Sequence, residues 1–406
     1  MPGANDMSQP LKILIAGAGI GGLSAAACLL QAGFDVEVFE RATVLGEIGA
    51  GVQQSANATH VMRDIGILEA LEAVAYRPAV TEFRTFDSGT VLQALSLAQR
   101  HESRFGAPYL QLHRADFHKI LVARVEALKP GAIRLGCAVE AFVEEPGHVE
   151  VELEGGLHIS GALLIGADGI KSNVRKQIAG PSAPVYTGDA AWRLTVPVAR
   201  LRENFLDGKS SIWVGPDKHA VVYFLRGGSL LNFVAAVEYD EWIEESWTHK
   251  QPWLELKRDL SGWHDDIQTI VDNAERDQCY RWALNVHPFL DTWSTRRATL
   301  LGDAAHPTLP YLAQGAAMAV EDAAVLTRAL VSLDDVGEAL RVYQAHRQPR
   351  TARVVRESQE NRKLFHMPDM HALREAFAKR DMDGERAGWL YAYNPLTADL
   401  QTPALH

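Results

Sequence analysis

Only three cysteines occur in 406 residues, Cys28, Cys137 and Cys279. They are odd in number and far apart, so neither a disulfide framework nor a metal-ligand spacing is expected. Such usage suits a reducing compartment, and the cytoplasm is the expected location. Basic residues are also scarce: 40 Lys and Arg against 51 Asp and Glu leave a net charge of −11. A nucleic-acid surface needs clustered cations, so nucleic acid is not an expected partner. An anionic small molecule stays open, because one buried Arg or His can bind a carboxylate. No long apolar run goes uninterrupted. Residues 13–30 have the length of a membrane span, but Gly17, Gly19, Gly21 and Gly22 break them, and one cation, Lys12, precedes them. A strand, turn and helix explain that stretch better than a signal peptide, and no membrane partner is expected. There is no internal repeat, and the low-complexity content is a polar N-terminal tail of about ten residues.

What is present points to a soluble protein of two or more lobes, with 47% hydrophobic and 22% charged residues. Residues 12–16 (KILIA) read as a buried parallel strand, 23–32 as a helix ending at Gly33, and 36–40 as a second strand ending in an acid. Between them, Gly17 permits a tight turn, Gly19 lets backbone approach a pyrophosphate, and Gly22 allows helix to pack on sheet. The helix N-terminus offers free N–H groups to phosphate. Glu40, 18 residues beyond Gly22, is placed to accept from ribose hydroxyls and disfavours a 2′-phosphate.

Two later motifs repeat the theme. Residues 160–168 read as another buried strand running into Asp168-Gly169, a turn at 171–173, and Arg175 on a solvated helix. Residues 298–303 again end in Gly-Asp, at Gly302-Asp303. A carboxylate at the mouth of a parallel strand can bind the polyol chain of a flavin. After His306, Pro307 and Pro310 the chain turns helical from Gly315, whose backbone N–H groups would favour negative charge on the edge of a reduced flavin.

The order and spacing of these three motifs resemble the single-component FAD-dependent aromatic hydroxylases, specifically the branch of salicylate hydroxylase, 3-hydroxybenzoate 6-hydroxylase and 6-hydroxynicotinate 3-monooxygenase. Residues 47–53 (EIGAGVQ), 112–118 (LHRADFH) and 347–350 (RQPR) match that branch, and the likeness runs from about residue 11 to 365. The resemblance implies tight, noncovalent FAD held through Gly17, Gly19, Gly22, Glu40, Arg41, Gly51, Val52, Arg114 and Asp303. It also implies Gly315, Ala316, Ala317 and Met318 along the pyrimidine side, and Asp168 near the flavin in a segment linked to nicotinamide use. NADH or NADPH would be a transient co-substrate, with no domain of its own. Reduced flavin would take up O2 at C4a, and the resulting hydroperoxide would hydroxylate an activated ring.

The fold expected is α/β. A Rossmann-like FAD-binding domain at 11–185 and 283–365 is interrupted by an antiparallel β-sheet substrate domain at 186–282, and a helical C-terminal segment follows at 366–406. Residues 186–280 hold six of the nine tryptophans, among them Trp242 and Trp247. Residues 218–225 and 230–237 read as a β-hairpin over Gly227-Gly228, with His219, Val221, Tyr223 and Leu225 on one face. Related hydroxylases carry a similar His-x-x-x-Tyr, so His219 and Tyr223 are the expected catalytic and substrate-orienting pair, with Gln53 and Pro310 as further substrate contacts. His219 is also a candidate cation for a substrate carboxylate. Histidine stands at position 53 in the hydroxynicotinate enzymes, and Gln53 departs from that.

The activity expected is hydroxylation of a phenolic or hydroxypyridine carboxylate. Two rivals are a same-fold flavin oxidoreductase acting on a non-phenolic apolar substrate and a redox-sensing flavoprotein without turnover. The first requires a wider, more apolar pocket, and the second no substrate-stimulated NADH oxidation. Ring position, any accompanying decarboxylation, the NADH–NADPH choice, and monomer against homodimer are left open.

Overall fold

A computed structural model of the chain describes residues 10–46, 51–239, 250–381, 384 and 387–400. Residues 47–50 of the 47–53 motif, Trp242, Trp247 and the N-terminal tail through residue 9 lie outside the described residues. The strand Lys12–Ala16 is buried from Ile13 onward and centres a five-stranded parallel sheet. Ile13 lies opposite both Leu163 of Leu163–Gly166 and Val36 of Asp35–Glu40. Ile133–Leu135 and Ala298–Leu300 form the two edges. The helix Ile20–Gln31 packs on the helix Gly315–Ser332. A Cβ on Gly21 would lie 2.7 Å from Leu301 Cδ2 and 3.2 Å from Ala319 Cβ, so its missing side chain sets that approach.

The strand expected across 160–168 is in fact two. Leu157–Gly161 closes an antiparallel meander with His148–Leu153 and Val139–Glu145, and the chain re-forms as the parallel strand Leu163–Gly166. Gly161 sits where a Cβ would be 2.6 Å from Leu14 Cγ, so only glycine lets the crossing pass this close to the central strand.

The second sheet has seven strands, in the spatial order Tyr280–Val286, Val185–Pro197, Leu230–Glu238, Lys218–Leu225, Ser210–Gly215, Val80–Thr85, Val91–Ser96. It therefore reaches outside the 186–282 span and takes two strands from before residue 100. The hairpin Lys218–Leu225/Leu230–Glu238 forms as read, over residues 226–229, with Arg226, Gly227 and Gly228 all at positive φ. Ala220, Val222 and Phe224 point to one side, into a core with Trp192, Trp213, Trp263 and the helix Asp265–Asp272. On the other side Val214, Ala236, Ala191 and Trp282 pack with Leu309, Tyr311 and Phe365. Strand alternation puts His219 and Tyr223 on that second side.

The helix Val336–Phe365 is capped by the Asp335 side chain and packs along Gly315–Ser332. Its far end reaches the seven-stranded sheet, so one rod braces both sheets. All three cysteines are free. Among the described residues, no helix is long and apolar enough to cross a membrane.

Candidate active site

The glycine turn is built as its spacing demands. Gly17 has φ +100°, and a Cβ there would lie 2.5 Å from the Ala167 carbonyl oxygen. A Cβ on Gly22 would overlap the Gly17 carbonyl, while one on Gly19 would meet nothing within 4 Å. The open space is thus at the position reserved for backbone approach to a phosphate. Glu40 Oε2 accepts from Ala18 N (2.8 Å) and Oε1 from Ala42 N (2.9 Å), so the acid also rigidifies the turn. Each oxygen keeps a second lone pair. Arg41 follows it, exposed. The 112–118 motif also serves this turn: His118 Nε2 donates to the Ala18 carbonyl at 2.7 Å.

Asp303 lies across from the turn in the short 3-10 segment Gly302–Ala304. It is solvent-accessible, with protein packed around its carboxyl. Burial pushes its carboxyl up, the nearby charges of His306 and Arg114 oppose this, and Asp322 adds to it. No hydrogen bond to the Asp303 carboxylate is found among the described residues.

The loop around Asp303 is pinned from beneath by a buried charge lattice that the sequence did not reveal. Asp322 Oδ2 accepts from Gly302 N (3.0 Å) and His306 Nε2 (2.6 Å), and Oδ1 from Arg347 Nε (2.7 Å). Next to it Glu321 pairs with Arg347 and Arg350, each at 2.7 Å, and accepts from Asn57 Nδ2 at 2.5 Å. Burial alone would raise the Asp322 carboxyl, but His306 and Arg347 more than offset this and hold it down to about 2. Asn57 also donates to Gln314, the residue before Gly315. Thus two adjacent acids on one helix fix both the Asp303 loop and that helix's own first turn. In that turn Gly315 and Ala316 are half-buried, and Ala317 and Met318 are buried.

Asp168 is tied to its own chain: its carboxylate accepts from Ser172 Oγ, Asn173 N (2.8 Å) and Val174 N (3.4 Å), while Ser172 is the N-cap of the helix Asn173–Ala179. Arg175 departs from expectation. It is buried, not solvated, and donates to the carbonyls of Ala304 (3.0 Å), Ala305 (3.4 Å) and Pro288 (3.3 Å). Beside it lies a cavity of about 480 Å³ lined by Lys171, Arg175, Lys176 and His287, with no acid among its lining residues.

The wall facing the parallel-sheet lobe is assembled by strand register. Tyr223 lies opposite Asn232, which lies opposite Thr195; Val221, Val234 and Arg193 form the next row; His219, Ala236 and Ala191 the third. The Tyr223 ring abuts Gly51, where any Cβ would overlap it. Gly51 N donates to Asn232 Oδ1 at 2.8 Å, and Val52 continues the strand Gly51–Gln54. Gln53 accepts from Tyr109 and lies beside the Tyr223 hydroxyl. Burial, opposed by Arg193 and Gln53, still leaves that hydroxyl well above its usual range.

His219 is 2% exposed and packs edge-on to Tyr311, with centroids 4.7 Å apart. Burial first, and His366 second, hold its imidazole well below the usual range. Burial thus disfavours the charged imidazole that a partner of a substrate carboxylate would need. Positive charge on this wall comes from Arg193, which is buried, stacks 4.8 Å from the Trp282 ring and acts electrostatically on Tyr223 and His113. Alternation along 185–197 could have singled it out in the sequence, since it shares a face with Ala191 and Thr195. Pro310 is exposed at the start of the turn Pro310–Leu312, and Ser358 and Asn361 of the long helix bond the Leu309 and Tyr311 carbonyls.

These residues fit FAD. The glycine turn leaves room for a pyrophosphate, and Asp303 presents an unused carboxylate. Around the strand Gly51–Gln54, the Gln54 amide, Asn232 Nδ2 and His113 Nδ1 are buried and have no hydrogen-bond partner among the described residues. Buried orphans of this kind are satisfied by a ligand or by water beside the strand.

Comparison with known proteins agrees. A family model described as FAD binding domain matches residues 10–358. A 3-amino-4-hydroxybenzoate 2-monooxygenase of Streptomyces platensis is 36% identical over 385 residues, 94% of this chain and 96% of that one. A 6-hydroxynicotinate 3-monooxygenase of Pseudomonas fluorescens is 35% identical over 361 residues, 87% and 92% of the two chains. A solved salicylate hydroxylase substrate complex superposes with a TM-score of 0.82 at 25% identity, covering 98% of this chain and 100% of the other.

Proposed function

The chain belongs to the FAD-binding-domain family of flavin-dependent aromatic monooxygenases, and from that premise we propose that it hydroxylates a phenol or hydroxypyridine carrying a carboxylate, with NAD(P)H and O2. The observation that carries this reading is the buried wall of His219, Tyr223 and Arg193, facing the strand whose polar neighbours lack partners. Relatives named for aminohydroxybenzoate and hydroxynicotinate support a ring of that class.

Bound FAD supplies the redox and oxygen chemistry. The chain's own residues bind, orient and deprotonate. Neutral His219 suits a base that accepts a phenolic proton, which a charged imidazole could not do. Tyr223, its hydroxyl kept protonated by burial, donates and orients rather than accepts. Arg193 offers charge complementary to a ring carboxylate. The cationic cavity at Lys171, Arg175, Lys176 and His287 suits the phosphates of a transient nicotinamide nucleotide.

Two expected outcomes test these roles. Arg193→Gln should weaken binding of carboxylated rings by about 1.5–3 kcal/mol, roughly 10- to 100-fold in Kd, and leave their decarboxylated analogues little changed. Equal losses for both sets would place the carboxylate elsewhere. His219→Ala should keep FAD but divert reducing equivalents to H2O2, whereas Tyr223→Phe should chiefly raise substrate KM. Wild-type coupling in His219→Ala across the pH range would make it a packing residue.

A further inference from the structure

His219 is not the end of its hydrogen-bond chain. Its Nδ1 lies 2.7 Å from His366 Nε2, and His366 Nδ1 lies 2.7 Å from Glu238 Oε1. His366 is the C-terminal cap of the helix Val336–Phe365, and Glu238 ends the hairpin strand beside His219's own. The two imidazoles are buried, but the Glu238 side chain is 34% exposed. The chain therefore begins at the substrate wall and ends at solvent.

The groups around it fix its polarity. The other Glu238 oxygen faces Arg362 at 3.1 Å, and Arg362 also bridges both Asp189 oxygens, at 2.6 and 2.7 Å. The Tyr311 hydroxyl donates to Asp189 at 2.5 Å. Glu238, Asp189, Arg362, Tyr311 and His219 are thus the titratable and charged groups that face His366. Glu238 held against a guanidinium is an acceptor, so His366 must donate from Nδ1. A neutral imidazole has one donor and one acceptor. His366 Nε2 then accepts from His219 Nδ1–H, and His219 Nε2 is left as a lone pair. Burial holds both rings below their usual range, which keeps them neutral. His219 Nε2 has no partner among the described residues.

We propose that His366 and Glu238 form a relay that carries the substrate's phenolic proton from His219 to solvent. This rests on the phenol-hydroxylating reading above. The phenolic proton binds His219 Nε2; the Nδ1 proton of His219 passes to His366 Nε2; the Nδ1 proton of His366 passes to Glu238 Oε1, and water removes it. One proton leaves and the ring becomes a phenolate. A proton returning by the reverse path re-forms a phenol in the product and restores both tautomers. His366 and Glu238 never touch the ring.

The test mixes oxidised holoenzyme with 3-hydroxybenzoate, salicylate, 6-hydroxynicotinate or 3-amino-4-hydroxybenzoate, using whichever of these the wild type hydroxylates. Phenolate absorbance and proton release to an indicator dye are followed together. His366→Gln should slow both signals by about 100-fold, with substrate Kd and bound FAD unchanged. Glu238→Gln, which keeps the side chain's shape, should slow proton release in the same direction and flatten its pH profile. A purely structural role would alter stability or Kd but not this rate. Wild-type proton release in both variants would overturn the relay and leave the hydroxylase reading intact. Should His366→Gln fail to hold FAD, Glu238→Gln decides alone. If the wild type hydroxylates none of the four rings, the substrate reading falls and the relay falls with it.

Discussion

Arg347→Met should cost the folded protein about 3 kcal/mol, the low end for breaking a buried ion pair by removing one partner. Arg347 is wholly buried between Glu321 and Asp322, both of which are wholly buried too. Methionine matches its volume and leaves Glu321 with Arg350, but leaves Asp322 with only His306 and the Gly302 amide. Because Asp322 carries the loop of Asp303, FAD retention should fall with stability. Urea unfolding of the holoprotein reads the first and flavin fluorescence after gel filtration the second. The lattice also sets a pH signature. The Asp322 carboxyl is depressed to about 2 when folded, below its ordinary value of about 3.9. Its contribution is therefore complete above the unfolded value and is lost as pH falls through about 2. A loss below about 1 kcal/mol in Arg347→Met would mean the lattice is solvated or rearranged.

Asp303→Ala should behave in the opposite way, with little change in apoprotein stability and a large loss of FAD. Its carboxylate makes no protein hydrogen bond among the described residues, so the fold loses nothing by its removal, and burial even opposes its charge. Its expected use is for a ligand. Charge-assisted bonds to polyol hydroxyls are worth about 1.5–3 kcal/mol, which weakens FAD binding roughly 10- to 100-fold. Titration of the apoprotein with FAD by fluorescence quenching measures this directly. Unchanged FAD affinity would remove Asp303 from the cofactor groove; a collapse in apoprotein stability would make it structural.

The two variants also separate what was legible in the sequence from what was not. The turn at Gly17, the strands on either side of it and the helix from Gly315 follow from local rules, positive φ and apolar period, and the structure has them at nearly the expected bounds. Contacts that depend on distant partners were not legible. One local contact also went unread: Asp168 and Asp303 look alike in sequence, each ending a buried strand, yet Ser172 and Asn173, four and five residues on, donate to the first, whereas no hydrogen bond to the second is found among the described residues. Arg175 reads as a solvated helix residue, and the carbonyls of Pro288, Ala304 and Ala305, 113, 129 and 130 residues away, explain its burial. The strands at 80–96 carry no mark of the sheet they join, and residue 366 gives no hint of a partner at 219. Charge pairs and ring contacts have no periodicity to read, whereas strands and glycine turns do.

Insertion of one atom of O2 into an aromatic ring at the expense of NAD(P)H is the activity proposed for this chain. It is tested most directly by incubating purified holoprotein with NAD(P)H, ¹⁸O2 and the four hydroxylated aromatic and pyridine carboxylates, and weighing the products. One of these rings should accelerate NAD(P)H oxidation and yield a product carrying a single ¹⁸O for each nucleotide consumed. NAD(P)H oxidation that no ring accelerates, with all the oxygen recovered as H2O2, would contradict it.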